Sequence, residues 1–301
     1  MDDGDPTVST VHADATVDEI LEELLATAPE LRSLQAARRG GETDEENPTG
    51  DELIAADAAA DEHLVDALAA IDGVGTVASE ERAELVDAGD GLSVTVDPLD
   101  GSSNLAANAP TGTILGVYDA DLPAPGRSIL ASAMVVYGPV TTAYVAIEGE
   151  GVTEYELPPG DDAEPTVAEA DVTIPNDPTI YGVGGGDDDW PEPVADVVDA
   201  LREQHKLRYS GALVADVSQV LTSGGLFAYP QLESSPTGKL RHQFEVGPIA
   251  FLVESAGGAS TDGNGSLLDR PAQELHGRSP IYVGSEAAIE RVEAILGDRV
   301  E

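Results

Sequence analysis

The chain has 301 residues, with 58 acidic against 14 basic side chains, no cysteine and a formal net charge of −44 at pH 7. This charge disfavours nucleic acid and anionic membranes as partners, and the lack of cysteine excludes disulfides and thiolate metal sites. Because the acidic residues are interleaved with apolar periodic segments, a disordered acidic tail fits poorly. Lysine occurs only at positions 206 and 239. Such a pattern resembles that of proteins from cells that keep molar salt in the cytoplasm, where repulsion is screened over about 3 Å.

The N-terminal part shows helical periodicity. One helix is predicted from residue 16 toward residue 28 and a second over residues 51–71. The polar, glycine-bearing stretch at 38–50 predicts a mobile loop. Asp57 falls on the apolar face of the second helix, where a carboxylate is destabilising unless it is paired or bound to a cation. A helix rotated enough to expose Asp57 to water is the alternative.

Short alternating apolar runs follow, separated by Gly, Pro and Asp turns. They predict a largely antiparallel sheet with the preceding helices on one face, with strands at residues 74–78, 92–96, 113–118, 129–137 and 142–147. The Pro- and Asp-rich stretch 157–165 marks the expected boundary between a half of residues 1–157 and a half of residues 158–301. Beyond it, strands (179–181, 207–209, 226–229, 281–283) alternate with helices (193–205, 214–221, 242–255, 286–296). The predicted class is α/β, and a cytoplasmic location is expected because neither a signal peptide nor an apolar run of roughly 18 residues is found.

The octet DPLDGSSN at residues 97–104 directly follows the strand at 92–96. Carboxylates such as Asp97 and Asp100 supply the oxygen ligands that Mg²⁺ prefers, and the proline between them turns the chain so that both can converge. Gly101 permits close approach of a ligand, and the N–H groups of Gly101, Ser102 and Ser103 can form an anion-binding nest. A polar turn is the simpler interpretation of any one of these residues, but the complete octet predicts a metal-dependent phosphatase.

The surroundings of three further acidic residues suggest that they belong to the same site. Glu80 and Glu81 end the strand before the octet, so neighbouring strands would bring Glu80 beside Asp97. Glu245 is the one acid in an apolar stretch that begins a helix. Solvent-facing acids and dipole stabilisation at a helix start are the alternatives.

Positive charge is concentrated near Lys239. One of only two lysines lies in the segment PTGKLR, together with Arg241. Cations in a strongly anionic chain would attract a phosphorylated substrate, although they would also balance neighbouring acids. Other cationic or hydrogen-bonding residues near these in sequence are Lys206, Arg208, Tyr209 and His242.

These motifs together resemble the class I fructose-1,6-bisphosphatases of the lithium-sensitive sugar phosphatase superfamily. The resemblance extends from residue 47 to the final helix and rests on NPTGDE, SEE, DPLDGSSN, GTILGVY, LRYSGALVADV, GGLFAYP, SPTGKLR and FEVGPIAFLVESAGG, in the family's order. It implies an α+β sugar-phosphatase fold with alternating helix and sheet layers in two halves and the site between them. It also implies hydrolysis of fructose 1,6-bisphosphate in gluconeogenesis, and an oligomer, usually a homotetramer.

The resemblance also implies roles for individual residues. Magnesium, two or three ions per site with Mn²⁺ as the alternative, would be held by Glu80, Asp97, the Leu99 carbonyl, Asp100 and Glu245. The attacking water would be positioned and deprotonated by Asp51, Asp57 and Glu81, with the loop before Asp51 closing over the metals. The cleaved phosphate would lie on Asp100, Gly101, Ser102 and Ser103. The sugar and its phosphates would contact Tyr209, Tyr229, Lys239 and Arg241, and Arg208 would reach a neighbouring subunit's site.

The chain departs from the family pattern in two places. The family's Y-S-L-N-E-G-Y segment reads YGVGGGD at residues 181–187, so Gly184 and Asp187 replace the amide and tyrosine that grip the remote phosphate. The Lys-Tyr pair of AMP-inhibited members is Gly91-Leu92, which predicts weak or absent AMP inhibition.

Three alternatives stay open. The first two are a sedoheptulose bisphosphatase and an inositol-monophosphatase-like enzyme, the latter disfavoured because its DGT-type turn and W-D-x-A motif are missing. The third is a non-catalytic acidic ion-binding protein, which would not explain the octet or the retained Lys239.

Overall fold

The computed structural model describes residues 6–38, 42–46, 48, 52–160, 163–271 and 274–297. No helix in these ranges is both long and apolar enough to cross a membrane.

The N-terminal segment forms two helices joined by a strand pair. Helix α1 (Pro6–Ala37) is longer than predicted and continues through Pro29, because its buried apolar face extends to Leu31. The predicted loop at 38–50 was wrong in part, since strand β1 (Glu42–Glu46) pairs antiparallel with β2 (Glu52–Ile54). Helix α2 (Ala55–Ala69) consequently begins after residue 51 rather than at it.

An eight-stranded sheet forms the larger layer, and its strand order is β10-β9-β8-β7-β6-β5-β3-β4. The strands are β3 (Val74–Ser79), β4 (Val86–Asp87), β5 (Leu92–Asp100), β6 (Thr111–Tyr118), β7 (Ile129–Tyr137), β8 (Thr141–Ile147), β9 (Gly151–Leu157) and β10 (Thr166–Ala170), with the short helix α3 (Asn104–Ala107) after β5. Only β3 and β5 pair in parallel among the described strands of this sheet. The predicted, largely antiparallel sheet is confirmed.

A second sheet of five strands has the order β12-β11-β13-β17-β15. Its strands are β11 (Ile180–Val183), β12 (Lys206–Leu207), β13 (Gly225–Tyr229), β15 (Ala259–Thr261) and β17 (Ile281–Gly284), while β14 (Leu240–Arg241) pairs separately with β16 (Arg278–Ser279). The helices of this part are α4 (Glu192–Arg202), α5 (Leu213–Ser223), α6 (Gly247–Ser255) and α7 (Glu286–Gly297). A π-helical turn, His242–Val246, precedes α6.

Three apolar clusters show that helix and sheet layers alternate. Helices α1 and α2 pack on one face of the large sheet, with Leu24 and Leu64 in the same cluster as Val94. Helices α5 and α6 lie between the two sheets, where Val217 and Ile249 share a cluster. Helices α4 and α7 cover the outer face of the smaller sheet. The predicted α/β class and layering are therefore confirmed.

The predicted division at residues 157 and 158 falls between two paired strands. Strand β9 ends at Leu157, and β10 returns antiparallel beside it in the large sheet. Residues of β10 thus extend the sheet of the first half. The proposed halves stay a prediction. Strand β10 itself was not predicted, because all five of its residues are exposed and no apolar alternation marks it.

Candidate active site

The ends of strands β3 and β5 place two carboxylates side by side. The parallel register aligns Ser79 with Val96, and the Glu80 N–H donates to the Val96 carbonyl at 3.0 Å. Glu80 therefore lies at the level of Asp97, as the strand pattern predicted. The register with β6 shifts between Asp97 and Asp100, and the Leu99 N–H donates to Asp97 Oδ1 at 3.0 Å.

Glu245 reaches this cluster from a distant part of the chain. It lies in the π-helical turn before α6, and its Oε2 accepts a hydrogen bond from the Arg241 N–H at 2.5 Å. Carboxylate oxygens of Glu80, Asp97 and Glu245 lie within 4.8 Å of one another, and all three residues are buried. Asp100 is also buried, and its Oδ2 accepts from the Val214 N–H at 2.9 Å at the start of α5.

Burial and mutual repulsion oppose the ionisation of these carboxyl groups. Burial, followed by the neighbouring acids, raises the pKa of Glu80 and of Asp97 well above their usual range, although Arg241 acts in the opposite direction on Glu80. Burial raises the pKa of Asp100 to about 6 and that of Glu245 to about 7, against hydrogen bonds from backbone N–H groups. A bound cation would reverse this balance.

The donor set fits a hard divalent cation. Glu80 Oε2 and Asp57 Oδ1 are buried oxygens without a hydrogen-bond partner. Carboxylate oxygens are the ligands that Mg²⁺ and Mn²⁺ share. The cluster therefore has the composition of a divalent-metal centre.

A cleft of about 210 Å³ opens beside the cluster. Of the predicted site residues it is lined by Asp57, Glu80, Glu81, Asp97, Leu99, Asp100, Gly101, Ser102, Ser103, Tyr229, Lys239, Arg241 and Glu245. Asp51 lies outside the described residues. Asp57 is 3% exposed, so the alternative of a water-facing Asp57 is excluded. Burial raises its pKa to about 6 against a hydrogen bond from the Ile54 N–H.

The loop after Asp100 is held tightly against residues 210–212, which precede α5. Gly101 has φ +73°, and a Cβ there would lie 2.6 Å from that of Ala212, so a side chain does not fit. The Asn104 amide donates to the Pro110 carbonyl at 2.8 Å and to the Ser210 carbonyl at 3.1 Å. These contacts fix the Gly101–Ser103 loop at the mouth of the cleft.

Aromatic and cationic residues form the other wall. Lys239 Nζ lies 5.7 Å from the ring centroid of Tyr229. The Tyr229 hydroxyl is hydrogen-bonded to that of Tyr209 at 2.9 Å, while Tyr209 itself is 47% exposed and, like Arg208, is not among the cleft-lining residues. The Arg241 guanidinium is ion-paired with Glu80, so it contacts the acidic cluster directly.

Sequence reasoning missed Gly211, Leu240 and Arg278, which also line the cleft. The charge of Arg278 lowers the pKa of Glu245, against the stronger effect of burial. Its segment carries no motif, and only the pairing of β14 with β16 brings Arg278 opposite Arg241.

The glycine in each departure from the family pattern has a steric basis. A Cβ on Gly184 would lie 2.2 Å from the Tyr229 ring, and Asp187 is exposed beside Arg202. A Cβ on Gly91 would lie 1.8 Å from the Gly73 carbonyl oxygen. With the Tyr229 ring and the Gly73 carbonyl where they lie, neither position has room for a side chain.

Comparison with known proteins gives a consistent result. Residues 17–161 match the family model described as fructose-1-6-bisphosphatase, N-terminal domain, and residues 174–297 match the C-terminal domain. A class 1 fructose-1,6-bisphosphatase of Haloarcula marismortui is 48% identical over 95% of this chain and 97% of its own length. One of Natronomonas pharaonis is also 48% identical, over 94% of this chain and 99% of its own length.

Solved structures resemble the whole chain as well. The holo form of Leishmania major fructose-1,6-bisphosphatase superposes with a TM-score of 0.85 and 26% identity, covering 98% of this chain and 96% of that one. A putative sedoheptulose-1,7 bisphosphatase from Toxoplasma gondii has a TM-score of 0.81 and 27% identity, covering 94% of each chain.

Proposed function

Since the chain belongs to the fructose-1,6-bisphosphatase family, we propose that it hydrolyses the 1-phosphate of fructose 1,6-bisphosphate to give fructose 6-phosphate in gluconeogenesis. The observation that carries this proposal is the convergence of Glu80, Asp97 and Glu245 beside the Gly101–Ser103 loop. The family places the chain among the phosphoric monoester hydrolases.

Divalent metal use follows from the family and from the buried carboxylates. We propose that Glu80, Asp97, Asp100, Glu245 and the Leu99 carbonyl hold two or three Mg²⁺ ions, with Mn²⁺ as the alternative. When bound, the metals acidify a water molecule and neutralise charge on the leaving oxygen.

The other predicted site residues bind substrate and accept the proton. Asp57 and Glu81, with Asp51 from the segment before α2, accept the proton of the attacking water. The N–H groups of Gly101, Ser102 and Ser103 bind the phosphate that is cleaved. Sugar and phosphate oxygens contact Tyr209, Tyr229, Lys239 and Arg241.

A homotetramer in the cytoplasm is part of the proposal. Arg208 is exposed and lies outside the cleft of its own chain, as expected of a residue that serves a neighbouring subunit. The exposed Leu207, 58% accessible, lies beside it on the edge strand β12.

Phosphate release in molar KCl with Mg²⁺ or Mn²⁺ tests this function. We expect activity on fructose 1,6-bisphosphate and none without metal, and Asp97→Asn should abolish turnover while the fold stays intact. Asp66→Asn, an exposed acid on α2, is the matched control. Near-normal turnover of Asp97→Asn with magnesium would contradict the assignment.

Sedoheptulose 1,7-bisphosphate is the second candidate substrate. Gly184 supplies no side chain at the remote phosphate end. The similar structure from Toxoplasma gondii is that of a putative sedoheptulose-1,7 bisphosphatase. The same assay with both sugar bisphosphates and an inositol monophosphate ranks the candidates by kcat/KM.

A further inference from the structure

A second cavity, of about 500 Å³, lies beside α3, the helix that follows the Gly101–Ser103 loop. It is bounded by the C-terminal turns of α1, the end of α3 and the start of β6. Its polar wall is formed by Arg32, Gln35 and Tyr137, and its apolar wall includes Leu105, Ala109 and Pro110. The volume falls within the range of small-molecule sites, roughly 300–1,000 Å³.

The charge of this cavity is unlike that of the rest of the molecule. No Asp or Glu is among the described residues that line it, whereas three other cavities are each lined by several acids. Arg32 is the one ionised group among the lining residues that the structure describes. An anion would therefore be attracted to this cavity, although the protein as a whole has a net charge of −44.

Gln35 contributes an unused donor. Its side chain is 2% exposed, and its Oε1 accepts the Thr111 hydroxyl at 3.0 Å. Its amide nitrogen is buried without a hydrogen-bond partner. A buried donor left unpaired is destabilising, so its retention points to a ligand that accepts from it.

Arg32 is held in place by neutral groups. Its Nη1 donates to Thr141 Oγ1 at 2.5 Å and its Nη2 to the Gly138 carbonyl at 2.8 Å. Among the side chains that the structure describes, no carboxylate forms an ion pair with it. The guanidinium is thus fixed and its charge is not neutralised by these contacts.

We propose that this cavity binds a small organic carboxylate, with the carboxylate on Arg32 and the Gln35 amide and the apolar body against Leu105, Ala109 and Pro110. Helix α3 begins at Asn104, directly after the Gly101–Ser103 loop, so an occupant contacts the element that carries this loop. The bound ligand therefore acts as an effector of hydrolysis. This role as an effector rests on the proposed function.

Benzoate is the probe, with benzyl alcohol as its uncharged counterpart. Binding is measured by calorimetry on the full chain in molar KCl, and the variants described next distinguish this cavity from the phosphate subsite of the cleft. We expect saturable benzoate binding, and binding of benzyl alcohol weaker by about tenfold or more, as one charge-assisted hydrogen bond implies.

Two variants with matched controls locate the site. Gln35→Glu keeps the acceptor for Thr111 but replaces the free donor with a negative oxygen, and Gln204→Glu is the same change on the surface. Ala109→Phe fills the cavity, and Ala107→Phe is the same change on the exposed side of α3. We expect about tenfold weaker benzoate binding in Gln35→Glu and Ala109→Phe. Binding should not change in Gln204→Glu and Ala107→Phe.

Failure of benzoate to bind, or unchanged binding in both Gln35→Glu and Ala109→Phe, would overturn the proposal. If Ala109→Phe does not fold, Gln35→Glu decides alone. If the wild type does not bind benzoate and Ala109→Phe dissociates the oligomer, a second copy of the chain covers the cavity. This result would also overturn the proposal. Benzoate binding in a protein without phosphatase activity would leave the site standing and refute the proposed function instead.

Discussion

Replacing Glu245 by glutamine should make the metal-free protein more stable while abolishing its activity. Glu245 is 5% exposed, and burial raises its pKa from 4.5 to about 7 despite the charges of Arg241 and Arg278. Because the pKa is raised in the folded state, ionisation opposes folding. The destabilisation is absent below pH 4.5, grows between pH 4.5 and 7, and reaches about 3 kcal/mol at pH 8.

The assay is urea unfolding in molar KCl with EDTA, at one protein concentration. Glu245→Gln keeps an oxygen to accept from the Arg241 N–H. We expect its free energy of unfolding to exceed that of the wild type by about 3 kcal/mol at pH 8 and by about 1 kcal/mol at pH 5. The control Glu290→Gln changes an exposed acid and should shift stability by less than about 0.5 kcal/mol.

Magnesium should reverse the order of stability. At a concentration about a thousandfold above its dissociation constant, it adds about 4.1 kcal/mol to the wild type, which exceeds the deficit of about 3 kcal/mol at pH 8. Glu245→Gln, which lacks one ligand, should gain much less. The reasoning fails if the variant is less stable than the wild type in EDTA at pH 8, because the arginines would then suffice to hold the carboxylate without a cation.

Other expectations follow from the same structure. Burial lowers the pKa of His242 from 6.5 to about 4, so the free energy of unfolding falls as the pH falls from 6.5 toward 4. Between pH 7 and 5 the wild type should lose about 2 kcal/mol more of this free energy than His242→Asn does, as measured by urea unfolding. Gly184→Asn should displace the Tyr229 ring and raise KM about tenfold or more with a smaller change in kcat; an unchanged KM would show that the ring moves freely. AMP at micromolar concentration should not inhibit, because Gly91 leaves no room for a lysine side chain, and strong inhibition in a steady-state assay would refute this. Thermal stabilisation by Mg²⁺ should increase from pH 5.5 to 8, since the ligands must lose their protons; a shift in Tm that does not depend on pH would argue against carboxylate ligands.

Local patterns determined a large part of this protein. The alternation of apolar residues defined strand β7 to the residue and located β3, β5, β6 and β8 within a few residues. The apolar stripe of α2 correctly placed Asp57 inward. These features depend on neighbours within one helix or strand, so periodicity suffices to predict them.

Strands without an apolar alternation could not be predicted in this way. The edge strand β10 is exposed along its length, and β1 is the acidic segment ETDEE. Both are defined by backbone pairing with a neighbour, which leaves little trace in side-chain polarity.

Only the tertiary structure decided how the site is assembled. Glu245 meets Glu80 because the π-helical turn before α6 packs against β5 and β6 of the large sheet, and Arg278 arrives through the pairing of β14 with β16. The ion pair of Arg241 with Glu80 follows from the same packing. Contacts between residues far apart in the chain depend on how whole layers pack, and no local period encodes them.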